Sequence, residues 1–264
     1  MAGVSSPVKT ERRGRVLEIV LDRPKANAIN AATSKELGEA FRTLSEDDSL
    51  SVAIITGGGD RFFSAGWDLK SAAEGEAPDA DQGIGGFAGL TEYWGLKKPV
   101  IAAVNGLALG GGFELVLAAD LIVAASHAKF GLTEAAIGLI ADAGGVIRLP
   151  RRLPRPIAME MMFTGRQVSA HMLESWGLVN EVVPGGQLMS AARELADRIA
   201  ASAPLSLQAI KEIDRVTEGL GEREAYRIMR EADLPVYRRV YASEDAAEGM
   251  AALSEKRAPN WKGR

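Results

Sequence analysis

Apolar positions fall in two rhythms along this chain. Short unbroken apolar runs occupy residues 15–21, 52–56, 99–104 and 121–124; their length and β-branched content predict buried strands. Between the first two runs, Leu37, Ala40, Phe41 and Leu44 recur at helical spacing, predicting a helix that ends near Asp47, with Thr33 and Glu36 as a capping box. Strand and helix in alternation predict an α/β fold with right-handed crossovers around parallel strands. Beyond Arg151 the rhythm turns helical, over residues 157–163, 169–176, 188–201, 205–219, 223–234 and 244–256, and only 178–183 still reads as a strand. Residues 74–89 carry Gly, Ala, Asp and Pro without periodicity and predict a long loop, a candidate wall or lid for a pocket. No internal repeat is visible.

One stretch departs from both rhythms. Gly110-Gly111-Gly112 leads into Phe113-Glu114-Leu115-Val116-Leu117-Ala118-Ala119, apolar on every side except Glu114, and so predicts a buried helix opened by glycines. A triple glycine loses much conformational entropy on folding, which implies that something approaches its backbone too closely for a side chain. Glu114 is either a first-turn acid that complements the helix dipole, typically by about 0.3 to 1 kcal/mol, or a paired, wet or chemically active carboxylate. The nearby glycines and a second acid, Glu134, shift the balance toward chemistry.

Composition narrows the chemistry. The chain has 264 residues, is 47% hydrophobic and carries a net charge of −4, with 31 Lys and Arg against 35 Asp and Glu. That suits a soluble globular protein and offers no basic block for nucleic acid. Cysteine is absent, which rules out thiolate metal sites, disulfides and cysteine nucleophiles and fits a reducing, cytoplasmic setting. Of the two histidines, His127 falls in a polar turn and His171 in a helical pattern; both read as surface residues, and no G-x-S-x-G elbow accompanies them. Residues 1–8 contain no apolar leader core, and residues 99–125 are interrupted by Asn105, Glu114, Asp120 and glycines, so neither a secretory signal nor a membrane span is expected. A P-loop and a dinucleotide fingerprint are also missing, and Gly57-Gly58-Gly59 reads as a turn. Two carboxylates beside a nest of amides suit proton transfer next to a carbonyl, where fixed N–H donors stabilise charge on oxygen.

Four segments carry a family resemblance: Ser64-Ala65-Gly66-Trp67-Asp68-Leu69, Lys98-Pro99-Val100-Ile101-Ala102-Ala103-Val104-Asn105-Gly106, Gly110-Gly111-Gly112-Phe113-Glu114 and Phe130-Gly131-Leu132-Thr133-Glu134. In order and spacing they resemble the enoyl-CoA hydratase/isomerase (crotonase) superfamily over nearly the whole chain. Within it, residues 66–70 and the loop 73–81 resemble the carnitinyl-CoA dehydratase group. The resemblance implies a spiral core of ββα turns over residues 1–200, a helical covering or trimerisation region over 201–264, and trimers that pair into hexamers. It also implies an acyl-CoA thioester as substrate, with coenzyme A part of that substrate and no separate cofactor or metal.

By position the resemblance assigns the thioester oxygen to the backbone amides of Trp67 and Gly111. Glu114 is then the acid that activates water for attack at Cβ, and Glu134 the one that exchanges the Cα proton. Retention of both favours hydration or dehydration over isomerisation or thioester hydrolysis. Coenzyme A falls to Lys25, Ala26, Ala28, Ala65 and Leu69, with Lys256 reaching in from a neighbouring subunit; for Lys25 and Lys256 a plain solvated charge is an equal reading. Thr133 stands where many relatives have proline, which implies a less rigid approach to Glu134. A trimethylammonium acyl group would need an aromatic or acidic surround, for which Trp67, Phe87, Tyr93 and Trp94 are candidates. Tyr93 and Trp94 read as helical packing residues, and Trp176 and Trp261 as packing. The alternatives are a general β-oxidation hydratase, an isomerase, and a non-catalytic RNA-binding relative, the last disfavoured by the acidic balance.

Overall fold

A computed structural model describes residues 6–77 and 79–264. Residues 1–5, part of the segment read as lacking a leader, and position 78 in the long loop lie outside the described residues. Ten strands form two sheets. The larger takes β1 (Val8–Arg13), β2 (Val16–Leu21), β3 (Val52–Gly57), β5 (Val100–Val104), β7 (Leu121–Ala125) and β10 (Glu181–Val183) in that spatial order. The smaller takes β4 (Phe62–Ser64), β6 (Leu107–Leu109), β8 (Lys129–Gly131) and β9 (Val168–Ser169). Each turn of the chain thus lays one strand in the large sheet and the next in the small one: β3 then β4, β5 then β6, β7 then β8. This is the ββα spiral that the resemblance implies.

The central strands β2, β3, β5 and β7 pair in parallel, Leu17 opposite Ala53 and Ala53 opposite Val100. They are buried along nearly their whole length because helices cover them, which is why they read as continuous apolar runs. Glu18, only 5% exposed in the middle of β2, is the exception. Arg193 of α7 (Leu188–Ala200) donates to both its oxygens at 2.8 and 2.7 Å, clasping that helix to the sheet. β1 escaped the periodicity because its residues are all half-buried or exposed: it is an antiparallel edge strand with a polar sequence. The small-sheet strands escaped because two or three residues are too short to show a period.

Helix α1 (Ala31–Glu46) buries Leu37, Ala40, Phe41 and Leu44 as the spacing predicts. Its cap, however, is not the Thr33–Glu36 box. Asn30 caps it, the side-chain oxygen accepting from the Thr33 amide at 2.9 Å and from the Thr33 hydroxyl, so the helix begins earlier and Thr33 sits inside its first turn. The short α2 (Leu69–Ala73) follows Trp67, and α3 (Gly111–Ala118) is the helix opened by the glycine run. The second correction concerns Tyr93 and Trp94, which lie in turns and not on a helix; Tyr93 is 8% exposed and Trp94 65%.

The remaining helices are α4 (Gly145–Arg152), α5 (Arg155–Thr164), α6 (Ala170–Ser175), α8 (Pro204–Thr217), α9 (Glu222–Glu231), α10 (Pro235–Val240) and α11 (Glu244–Glu255). α4 and α10 have no counterpart in the apolar rhythm. The main apolar core runs from Val16 to Ala196, while Leu205, Ala209 and Val236 form a separate small cluster among the last helices. Among the described residues no helix is long and apolar enough to cross a membrane.

Candidate active site

Three close backbone approaches build the site. β6 delivers the chain to Gly110, whose φ of 53° lies in the left-handed region that favours glycine, and the Gly110 amide donates to Gly131 O of β8 at 2.8 Å. A Cβ on Gly112 would stand 2.2 Å from Ser64 O, and one on Gly66 2.6 Å from Gly111 N. The Gly66–Trp67 peptide and the N-terminus of α3 therefore abut, which explains the glycines on both sides. Ile29 clamps this segment, accepting from the Asp68 amide at 2.9 Å and donating to Gly66 O at 2.8 Å. Asp68 caps α2 and pairs with Arg23 at 2.6 Å. Burial alone would raise the Asp68 carboxyl, but Arg23, Ser71 and the Lys70 amide outweigh it and hold the group below its ordinary range.

The result is a pair of unused donors. Among the described residues neither the Trp67 amide nor the Gly111 amide has a protein acceptor, and both residues line one cavity of about 590 Å³. Fixed N–H groups held without a partner at a helix start are what a developing oxyanion needs. The Phe87 ring covers the same spot: its Cε1 would be 2.6 Å from a Cβ on Gly111.

Both acids face this cavity. Glu114, in the first turn of α3, is 3% exposed, and its Oε1 accepts from the Gly145 amide at the start of α4 at 2.8 Å. Burial pushes its carboxyl up to about 8; the Gly145 amide opposes that rise, and the charges of Glu134 and Asp142 add to it. Glu134 opens a short 3₁₀ turn, Glu134–Ile137, and its carboxyl is also raised, first by burial and further by Asp142. Its Oε2 is buried and has no hydrogen-bond partner among the described residues. Oε1 lies 3.0 Å from where a Cβ on Gly110 would be, so that glycine makes room for the acid as well as for the turn. Two carboxyls with raised pKa values on one cavity, facing two free amides, hold a proton more readily than free carboxyls do. Such a pair can move it between water and carbon.

Of the other expected residues, Ala65 and Leu69 line the cavity. Ala26 lies beside them, its carbonyl accepting from the Ala65 amide at 2.9 Å. Lys25 and Ala28 belong to the same segment, which Asn27 ties to the β3–β4 turn by donating to Gly58 O and Phe62 O at 3.0 and 2.9 Å. Lys25 is exposed at the surface, and neither it nor Ala28 lines the cavity. Lys256 ends α11 in a left-handed turn, exposed and away from the cavity walls. Trp67 and Phe87 line the cavity, whereas Tyr93 and Trp94 line a neighbouring one.

Sequence reasoning missed Gly145, Asp142 and Glu92, the last two of which line the cavity. The available signal was Asp142-Ala143-Gly144-Gly145, a second glycine pair opening a helix as Gly110–Gly112 does. His127 and His171 are exposed: the His127 Nε2 lies 3.0 Å from Asn105 O, and His171 stands beside Glu174.

Two carboxyls, one buried and one half-buried, opposite an oxyanion nest on a two-sheet spiral define an enzyme that works on an activated acyl group. The chain belongs to the enoyl-CoA hydratase/isomerase family, whose model matches residues 11–264, and it is a hydro-lyase. It is 59% identical over 261 residues to the carnitinyl-CoA dehydratase of Proteus mirabilis, covering 99% of this chain and 100% of that one. A Mycobacterium tuberculosis H37Rv enoyl-CoA hydratase superposes with a TM-score of 0.90 at 43% identity, covering 98% of this chain and all of the other. A carnitinyl-CoA hydratase from Mycobacterium avium gives 0.77 at 44% identity, with 99% and 100% covered.

Proposed function

We propose that this enzyme adds water to, and removes it from, the Cα=Cβ bond of a short 2-enoyl-CoA, with crotonobetainyl-CoA and carnitinyl-CoA as the substrate pair. The observation that carries the reading is the single cavity shared by Glu114, Glu134 and the free Trp67 and Gly111 amides. In the hydration direction the thioester oxygen accepts from the two amides. In the form of the pair with the proton on Glu134, ionised Glu114 takes a proton from water as its oxygen bonds to Cβ. The C=C electron pair moves toward the thioester carbonyl, and protonated Glu134 delivers its proton to Cα. Dehydration runs the same steps in reverse. The coenzyme A part is assigned to Lys25, Ala26, Ala28, Ala65 and Leu69, with Lys256 contributed across an interface between copies.

The acyl group is taken from the relatives named carnitinyl-CoA dehydratase, at 59% identity over nearly full length. The solved relatives named enoyl-CoA hydratase support a second reading, a hydratase for unsubstituted acyl chains. Water-addition rates on crotonobetainyl-CoA and crotonyl-CoA separate the two by kcat/KM. Glu114→Gln and Glu134→Gln should each lower kcat by about 10²- to 10⁴-fold on either substrate; full activity in both variants overturns the assigned roles. Assembly into trimers or hexamers is part of the proposal, supported by exposed Phe163, Ile137 and Ile140 near the cavity and Met250 and Leu253 on α11. Sedimentation of the purified chain as a monomer would remove that part.

A further inference from the structure

A trimethylammonium group has no N–H to donate, so a protein recognises it through an anionic field and through contact with its methyl groups. In crotonobetainyl-CoA the quaternary nitrogen sits on Cγ, next to the carbon that water attacks. Its seat must therefore lie beside the two catalytic carboxyls. The cavity is unusual in this respect: Asp79, Glu92 and Asp142 line it together with Glu114 and Glu134, and among the described residues no Lys, Arg or His does. Glu134 Oε2, buried and without a hydrogen-bond partner among the described residues, and the 3% exposed Glu114 border the same space, so exposed Asp79, Glu92 and Asp142 stand around a cavity whose inner wall is itself polar.

Three acids are free of the proposed proton chemistry, and they are not equivalent. All three are exposed, Asp79 on the long loop. Glu92 shares its field with Arg148, whose guanidinium it helps to keep charged. Asp142 lines the cavity and is the one of the three whose charge reaches both Glu114 and Glu134. The turn at residues 140–142, closed by the Asp142 amide donating to Ile140 O at 3.0 Å, places it immediately before the Gly144-Gly145 helix start that holds Glu114. The Phe87 ring, stacked on Gly111, offers an apolar face in the same cavity.

We propose that Asp142 is the specificity residue of this site, its carboxylate seating the quaternary ammonium of the acyl chain while Phe87 packs against the methyl groups. This rests on the hydratase reading above. The same contact keeps the site from being a generic enoyl pocket: a neutral acyl group leaves Asp142 facing two other carboxyls with no positive charge on that side of the wall among the described residues.

The test compares crotonobetainyl-CoA with its neutral isostere, in which a tert-butyl carbon replaces the nitrogen, in wild type, Asp142→Asn and Asp142→Glu. Wild type should favour the cationic substrate at least tenfold in kcat/KM, Asp142→Asn should erase at least tenfold of that preference, and Asp142→Glu should restore most of it. Calorimetric Kd values for the saturated, unreactive pair, γ-butyrobetainyl-CoA and its tert-butyl isostere, should show the same ratios without turnover, so a variant with misplaced catalytic acids still reports. An unchanged ratio in Asp142→Asn, or equal loss on both substrates and both ligands, overturns the proposal. Hydration of crotonyl-CoA with no preference for the cation defeats this inference and leaves the hydratase reading standing. Failure on every enoyl-CoA, with protein folded by circular dichroism, defeats both.

Discussion

Two cavities share a wall in this molecule, and they treat their acids in opposite ways. Glu92, Asp142 and Ala143 border both. On one side Glu114 is buried and Glu134 half-buried against glycine backbone, neither in an ion pair among the described residues, and both carboxyls are raised. On the other, a cavity of about 560 Å³ holds Arg148, Arg151, Arg152, Lys211 and Arg215 among Asp120, Asp214 and Glu218. There Lys211 reaches Asp120 at 2.6 Å while Asp120 also accepts the Val100 amide, and Arg152 donates to Ala119 O. Nearby, Glu212 receives Lys97 and two backbone amides. Burial pushes that carboxyl up, yet Lys97 and the amides bring it below the ordinary value. Partnered acids hold elements together; unpartnered ones keep a proton available. Burial alone does not distinguish structure from chemistry, whereas the supply of counter-charge does.

The sharpest way to break this contrast is to neutralise an acid on the uncompensated side. Glu114→Gln keeps shape and the Gly145 contact, and its kcat loss of about 10²- to 10⁴-fold should come without loss of stability. The stability counterpart follows from the sign of the shift. A carboxyl raised from 4.5 to about 8 on folding lets the native state bind more protons than the unfolded chain between those values. This contribution is therefore fully present below about pH 4.5 and lost as pH rises through 8, amounting to several kcal/mol. Urea unfolding of wild type and Glu114→Gln across pH 5–9 should show the variant gaining on wild type as pH rises, and parallel curves would contradict the raised carboxyl.

On the compensated side the expected effects are smaller and purely structural. Lys211→Met strands Asp120 beside Arg152 and Arg215 and removes a donor to Lys98 O. A loss of about 1–3 kcal/mol is expected in denaturant titration, with kcat of the folded fraction retained. The smallest effect lies farthest out: Arg227→Ala on α9 removes fully exposed pairs with Glu224 and Glu231 and should leave Tm unchanged within error.

The two sides also differed in how far the sequence disclosed them. The four central strands were readable because both of their faces are covered, so nearly every residue had to be apolar, Glu18 being held by Arg193. Glu114 was readable because a single carboxyl stood in an otherwise apolar helix behind glycines that have no local reason to be there. Asp142, Glu92 and Gly145 were not: the first two sit in turns without periodicity, Gly145 opens a helix the apolar rhythm does not show, and they acquire meaning only when α3 and α4 meet. The Thr33 cap misled for a related reason: Asn30 is an equally good cap, and only the entry of the chain from Ile29 decides between them.

The long loop brings Phe87 to Gly111, yet its return is fastened elsewhere. Ser34 Oγ accepts the Ala88 amide at 3.0 Å, and Gly89 fits against the backbone of Leu37 and Gly38 on α1. Glu76 ties the start of the loop to the Trp67 indole and the Ala31 amide, and Gly85 packs against Gly89, so the stretch open to recomposition is residues 79–82, of which Asp79, Ala80 and Gln82 line the cavity. Natural divergence, or a designer seeking a different acyl group, has there a stretch of chain whose variation reshapes the far wall of the cavity and leaves the reacting atoms undisturbed.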